Sequence, residues 1–201
     1  MTTYPINEVF CSLQGEGANA GRKAVFVRFA GCNLTCERDG EAGFDCDTEF
    51  TSNTRLTFDE INDMVMQCWG EGGLIPFVIL TGGEPLLHVT EEFAGKANAA
   101  WNVAVETNGT QTLPPKTDDW FVCVSPKTAE HTLKIQRADE LRYVRNHTQG
   151  CPQPKLKAKH YWLSPAWGED VSRNLQQCVR LCKRHPAWRL SMQQHKVWRL
   201  P

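Results

Sequence analysis

The sequence predicts an α/β fold, an abbreviated one, with a mostly parallel sheet and few helices. Three observations carry that expectation. Short runs rich in β-branched and aromatic residues recur at fairly regular spacing, several without polar alternation, as strands buried on both faces read. Helical periodicity appears between only some of them. Polar or glycine-rich clusters then stand at the ends of consecutive runs, where ligands gather in parallel sheets.

The strands are expected at 24–29, 77–81, 102–107, 120–125, 141–145, 160–164 and 188–192. Thr57-Phe58-Asp59-Glu60 has the form of a capping box. Ile61, Met64, Val65, Cys68 and Trp69 follow at helical spacing until Gly70, so a helix is expected over 57–69. A second is expected over 169–184, with Val171, Leu175, Cys178, Val179 and Cys182 on one stripe. A weaker pattern covers 91–100. The other crossovers are too short for full helices.

The chain has 201 residues, enough for one sizeable core, and a net charge of −1. That balance gives no basic field for nucleic acid, and no apolar run approaches a membrane span. The first ten residues lack the basic start and apolar run of a secretory signal. Nine cysteines, an odd number, argue against a disulfide framework and for a reducing compartment. A cytoplasmic protein that binds neither membrane nor nucleic acid is expected.

Cys32, Cys36 and Cys46 share one loop just after the 24–29 run. Gly31, Asn33, Asp39, Gly40, Glu41, Gly43, Asp45 and Asp47 make that loop a polar turn, which suits structural thiols poorly. Zinc normally takes four ligands, usually as two close pairs, and no partner pair follows. Three thiolates can instead hold a four-iron cluster with one iron open to another molecule. Iron–sulfur, zinc and structural readings all stand at this point. Cys178 and Cys182 read as part of a buried stripe, and Cys11, Cys68, Cys123 and Cys151 as structural thiols without partners.

Thr81-Gly82-Gly83-Glu84-Pro85 ends the second run. Its glycines would let backbone approach a ligand, and Glu84 could accept from an ammonium group. Arg28 interrupts an apolar strand, so it needs an anion, which a carboxylated substrate or an internal glutamate would supply. Leu13-Gln14-Gly15-Glu16-Gly17 reads as a polar turn and His195 as an ordinary histidine when each is taken by itself.

Together these residues resemble a family. Gly31-Cys32-Asn33-Leu34, Cys46-Asp47-Thr48, Thr81 through Pro85, Glu106-Thr107-Asn108-Gly109 and Ser125-Pro126-Lys127 look like radical S-adenosylmethionine enzymes. Phe10 through Gly17 and the tail from Trp188 to Lys196 narrow the resemblance to the 7-carboxy-7-deazaguanine synthases, from end to end.

The resemblance implies one radical S-adenosylmethionine domain over 1–201, a partial TIM-like barrel with few helices, and a homodimer. It implies a [4Fe–4S] cluster on Cys32, Cys36 and Cys46, with S-adenosylmethionine on the open iron and an electron donor such as a flavodoxin. The substrate would be 6-carboxy-5,6,7,8-tetrahydropterin, losing a hydrogen atom from C6, then contracting its ring and releasing ammonia. Mg²⁺ would meet the substrate carboxylate, with Thr48 as its protein ligand. Cofactor contacts would come from Asp45, Asp47, Gly82, Gly83, Glu84, Glu106, Asn108, Ser125, Pro126 and Lys127. Leu13, Gln14, Gly15, Glu16, Arg28, Thr81, His195 and Pro201, through its terminal carboxylate, would face the substrate.

Two features depart from the pattern. The usual CxxxCxxC spacing becomes Cys32-x3-Cys36-x9-Cys46, and Ser164-Pro165-Ala166-Trp167 stands where the family often has Gln-Pro. Two other readings follow from the same residues: a radical activating enzyme with a protein substrate, and a non-catalytic zinc-binding module.

Overall fold

The computed structural model describes residues 1–201. Nine strands form one sheet. They are β1 (Thr3–Leu13), β2 (Lys23–Phe29), β3 (Thr54–Thr57), β4 (Phe77–Gly82), β5 (Asn102–Thr107), β6 (Phe121–Val124), β7 (Glu140–Arg145), β8 (His160–Pro165) and β9 (Arg189–Leu190). Their order is β3-β1-β2-β4-β5-β6-β7-β8-β9. From β2 onward every pairing is parallel, whereas β1 runs antiparallel to both β2 and β3. The terminal strands β3 and β9 do not pair, so the sheet stays open.

Four helices accompany it: α1 (Phe58–Trp69), α2 (Glu91–Ala100), α3 (Val171–Arg184) and the short α4 (Gln194–Trp198). The α1 capping box forms as expected: Thr57 accepts from the Glu60 N–H while the Glu60 carboxylate accepts from the Thr57 N–H. No helix is long and apolar enough to cross a membrane.

The pleat sorts each strand into two faces. Val25, Val27, Phe29, Val78, Leu80, Val103, Val105, Val122, Val124, Leu141 and Leu163 point to the helix side. There they pack with Phe58, Ile61, Val65, Phe93, Ala97, Cys178 and Leu181 in the main core. The opposite face lines the half-barrel. At the strand starts it is apolar, with Ala24, Phe26, Phe77, Ile79, Ala104 and Phe121 in a second cluster. Two residues further along it turns polar: Arg28 pairs in register with Thr81, Glu106 with Cys123, Cys123 with Glu140, and Arg142 with Trp162. The interior is dry at one end and charged at the other, and the charged end is the carboxyl end of the sheet.

The sequence did not announce β1 or β3. Pro5 and a bulge between Ile6 and Glu8 interrupt the regular pattern of β1, and β3 has only four residues before α1 begins. The expected strand at 188–192 shrinks to Arg189–Leu190, and α4 begins where only a polar cluster was expected. The stripe of α3 also differs. Asn174, Gln177, Cys178 and Leu181 are its buried residues. Asn174 donates to the Ala166 carbonyl and Gln177 to the Gln149 carbonyl, so both amides are satisfied where they are buried.

Candidate active site

The cysteine loop leaves the end of β2 and holds no helix or strand until β3. Its ends are tied down. The Gly31 N–H donates to the Phe50 carbonyl at 2.8 Å, and the Cys46 N–H to the Cys36 carbonyl at 3.2 Å. Asn146 Nδ2 donates to the Gly43 carbonyl at 2.8 Å and anchors the middle of the loop to the far side of the sheet.

The end of β4 lies directly under it. The Gly83 N–H donates to the Phe29 carbonyl and the Glu84 N–H to the Gly31 carbonyl, at 3.1 and 2.9 Å. A Cβ on Gly82 would stand 2.1 Å from the Phe29 oxygen, and one on Gly83 2.1 Å from the Gly31 oxygen. The glycine pair is therefore required first by its own neighbouring backbone, the segment that carries Cys32.

Glu84 corrects the sequence reading. Its side chain is fully buried and does not reach the cavity. Oε1 accepts from the Leu86 N–H at 3.1 Å and the Thr107 hydroxyl at 2.7 Å, and Oε2 from the Asn108 N–H at 2.7 Å. No acceptor capacity faces an ammonium group. Glu84 staples the ends of β4 and β5 together instead. Burial nonetheless pushes its carboxyl above the usual range, against those bonds. Pro126 is likewise buried and does not line the cavity.

The other expected residues converge at the carboxyl ends of the strands around two adjoining cavities. The first, of about 200 Å³, is lined by Cys32, Cys36 and Cys46. Asp45, Asp47, Thr48, Gly82, Gly83, Glu106, Asn108, Ser125 and Lys127 also line it, as do Ser164, Pro165 and Trp167 from the segment that departs from the family pattern. The second, of about 160 Å³, gathers Leu13, Gln14, Gly15, Glu16, Arg28, Thr81, His195 and Pro201. Glu16, Asp47, Thr48, Thr81, Glu106 and Gln193 border both.

Around the first cavity, donors turn toward sulfur. The Leu34 N–H lies 3.4 Å from Cys32 Sγ and Asn108 Nδ2 3.9 Å from it. Burial raises the Cys32 thiol above its ordinary value, and the Glu84 and Cys46 charges add to that against the Leu34 N–H. Burial raises Cys36 too, while Lys127 works in the opposite direction. Lys127 donates to Ser125 Oγ, and burial followed by the Arg142 charge pulls its ammonium below the usual range.

The second cavity has an aromatic floor, with Phe10 and Phe26 stacked at 5.1 Å between centroids. Arg28 lies over Phe10 and meets Glu8 Oε1 at 2.7 Å, so an internal glutamate supplies its anion. The tail closes the other side. The Gln194 N–H donates to the Gly15 carbonyl at 3.1 Å, and a Cβ on Gly15 would fall 2.2 Å from His195 Nδ1. Lys196 Nζ and Gln193 Nε2 both donate to Asp47 Oδ2, at 2.5 and 3.2 Å. Burial raises the Asp47 carboxyl, but Lys196 and then Gln193 outweigh it and hold it below the usual range. Burial keeps the His195 imidazole below its ordinary value, which favours the neutral ring at pH 7.

Glu106 stands on the shared wall. It accepts from Gln14 Nε2 at 3.0 Å, Thr81 Oγ1 at 3.1 Å and Arg142 Nη2 at 2.8 Å. Burial alone would raise its carboxyl, but the Arg142 charge and bond, then those of Gln14 and Thr81, leave it lowered and ionised. Sequence reasoning missed Arg142. Its signal was the one that marked Arg28, a charge inside an apolar strand, but here Glu140 and Arg145 sit on the same strand and blur it.

The comparisons with known proteins bear on the whole chain. No family model matches it. A 7-carboxy-7-deazaguanine synthase of Bordetella pertussis is 39% identical over 211 residues, covering 98% of this chain and 99% of the relative. That of Burkholderia multivorans is 38% identical, covering 99% and 100%. That of Bacteroides thetaiotaomicron is 40% identical, covering 96% of each. The chain belongs to the 7-carboxy-7-deazaguanine synthase family. The crystal structure of QueE from Escherichia coli superposes with a TM-score of 0.67 at 23% identity, over 94% of this chain and 93% of that one, so it shares the fold.

The donor set suits the cluster that this family implies. No three metal-ligating side chains converge on a single point, as one ion would require. Three thiols distributed round one cavity suit a cluster, in which each thiolate meets a different iron. The donors aimed at Cys32 Sγ would be satisfied by a thiolate there. These residues fit the group.

Proposed function

We infer that this chain converts 6-carboxy-5,6,7,8-tetrahydropterin to 7-carboxy-7-deazaguanine with loss of ammonia, as a single radical S-adenosylmethionine domain over residues 1–201. One observation carries the reading: the cavity lined by the three cysteines and the cavity lined by the tail and the Leu13–Glu16 loop share a wall. A group held by the three cysteines would therefore stand next to a molecule held by the tail and the Leu13–Glu16 loop, which is the proximity that hydrogen transfer between them needs.

When bound on Cys32, Cys36 and Cys46, the cluster with S-adenosylmethionine supplies the radical that takes the C6 hydrogen. The chain does the rest. Asn108, Ser125 and Lys127 offer polar contacts to the cofactor, and Gly82 and Gly83 keep backbone close to it. Phe44, Phe50 and Trp167 line the same cavity and keep water from it. Gln14, Arg28 and His195 orient the pterin over Phe10 and Phe26. Glu106, ionised on the shared wall, can hold a proton that the ring releases as it contracts. Thr48 borders both cavities, so its hydroxyl and the substrate carboxylate can share a Mg²⁺ that keeps most of its own water.

Two further expectations have support. Val197, Trp198 and Leu200 are exposed on and just after α4, which suits pairing with a second copy of the chain. Cys46 is exposed, so an electron donor docked at the loop would stand near the cluster.

The test is anaerobic. The chain is loaded with iron and sulfide, then supplied with S-adenosylmethionine, Mg²⁺, a reductant and the pterin, and 7-carboxy-7-deazaguanine is followed by mass spectrometry. Product is expected in proportion to cluster content. 5′-Deoxyadenosine without product would leave the cofactor chemistry standing and overturn the substrate.

A further inference from the structure

A guanidinium in the half-barrel interior has one arm without a partner. Arg142 lies mid-strand on β7 with its side chain only 6% exposed. Nη2 is spent on Glu106 at 2.8 Å. Nη1 is buried and makes no hydrogen bond. Two carboxylates stand just outside bonding distance of it, Glu140 Oε1 at 3.8 Å and Glu16 Oε2 at 3.9 Å.

These two differ in their freedom. Glu140 Oε2 is already held by the Ala18 N–H at 2.9 Å and by Trp162 Nε1 at 3.0 Å. Gly17 packs onto it so closely that a Cβ there would fall 2.3 Å from Oε1. Each carboxylate has one oxygen bonded and one without a partner, but Glu16 carries a single bond, from the Ser164 hydroxyl at 3.0 Å, and its side chain borders both cavities. A rotation of Glu16 that closes the 3.9 Å gap would give Nη1 its bond. A buried donor that lacks a partner favours such a closure.

We propose that Arg142 is a positioning residue for the reaction: its two arms set the Glu106 and Glu16 carboxylates side by side on the wall between the cofactor and substrate cavities. The proposal rests on the function inferred above, because it takes Glu106 as the proton-holding group. The charged and titratable groups around Glu106 are Arg142 and Glu140 on β7, Cys123 on β6, Lys127 just after β6, Glu16 on the loop, Arg28 on β2 and His195 on α4. Arg142 is the cation that bonds it, so removal of Arg142 leaves Glu106 beside two other carboxylates in a poorly solvated wall.

The test compares Arg142→Met, Arg142→Lys and Glu106→Gln in the cluster-loaded enzyme. Arg142→Met is expected to lower kcat/KM for the pterin on the order of 10²-fold, the scale of a mispositioned catalytic group. It should also move the acid limb of the pH profile upward, since a carboxylate deprived of its cation ionises only at higher pH. Arg142→Lys keeps the charge and loses the fork, so it should restore the limb more fully than the rate. Adding Arg142→Met to Glu106→Gln should cost less than Arg142→Met costs the wild type, because only the Glu16 half of its role is left to lose.

Infrared difference spectra, wild type against Glu106→Gln, read the Glu106 carboxylate without turnover and should show the same upward move in Arg142→Met. An unmoved carboxylate band, or losses that multiply in the double variant, would overturn the proposal. A wild type that makes no product overturns the function instead, and the infrared titration still decides the role of Arg142.

Discussion

Adding one methyl group at Gly83 tests how the glycine pair and the cysteine loop depend on each other. In Gly83→Ala the new carbon would stand 2.1 Å from the Gly31 oxygen, 2.6 Å from the Gly31 carbonyl carbon and 3.0 Å from the Cys32 nitrogen. A carbon–oxygen contact settles at about 3.3 Å, so the two backbones must part by about 1.2 Å, the difference between 3.3 and 2.1. All three atoms are main chain, and the two segments are also joined by the Gly83 N–H···O=C Phe29 and Glu84 N–H···O=C Gly31 bonds. No side chain can swing aside. Overpacking of this kind costs roughly 1–3 kcal/mol, and it displaces the residue that carries the first thiol. The variant should melt at lower temperature and hold less iron and acid-labile sulfide per chain after anaerobic reconstitution. Formation of 5′-deoxyadenosine should fall on the order of 10²-fold. Gly72→Ala is the control, because nothing lies within 4 Å of a Cβ there. Gly83→Ala with wild-type iron content and wild-type rate would refute the packing argument.

Three other perturbations probe separate parts of the site and the fold. In Gly15→Ala the Cβ would meet His195 Nδ1 at 2.2 Å, which should push the tail off the substrate cavity and raise the pterin KM by roughly tenfold or more, read by steady-state kinetics. Glu84→Gln sets an amide N–H against the N–H of Asn108 or of Leu86, leaving a buried donor unsatisfied at a cost of about 1–3 kcal/mol, read as a lower melting temperature. Burial raises the Asp139 carboxyl, but bonds from Lys159 and the Val122 N–H outweigh it and leave it below the usual range. Its stabilising contribution should therefore be complete above the unfolded carboxylate value of about 3.9 and vanish as pH falls through the lower folded value. The gap in melting temperature between wild type and Asp139→Asn should close over that acid window.

The parallel part of the fold was legible because its strands are short apolar runs with turn residues after each one. Strand ends at Thr81, Thr107 and Arg145 came close to the observed ends for that reason. β1 was not legible, since Pro5 and the bulge near Asn7 break a pattern whose pairing partners lie far along the chain. Among the site residues, Arg28 announced itself as a charge in an apolar strand, whereas Arg142 did the same between two other charged residues and passed unnoticed. Glu84 was misread because a glutamate after a glycine pair looks equally suited to a ligand and to a backbone staple; only the positions of the Leu86 and Asn108 N–H groups separate the two. The glycines were assigned space for a ligand; both line the first cavity, but their missing side chains are required first by the Phe29 and Gly31 backbone. Cys11 and Cys68 appeared to be isolated, but Cys11 on β1 is near enough to α1 for its charge to push the Cys68 thiol up after burial.

The decisive event is one hydrogen atom crossing from one cavity to the other. The pterin deuterated at C6 would be turned over anaerobically by the cluster-loaded chain, and the mass of the 5′-deoxyadenosine measured beside the yield of 7-carboxy-7-deazaguanine. 5′-Deoxyadenosine heavier by one deuterium, formed in step with product, is expected. Unlabelled 5′-deoxyadenosine, or label without product, would contradict the claim that the two cavities serve one reaction.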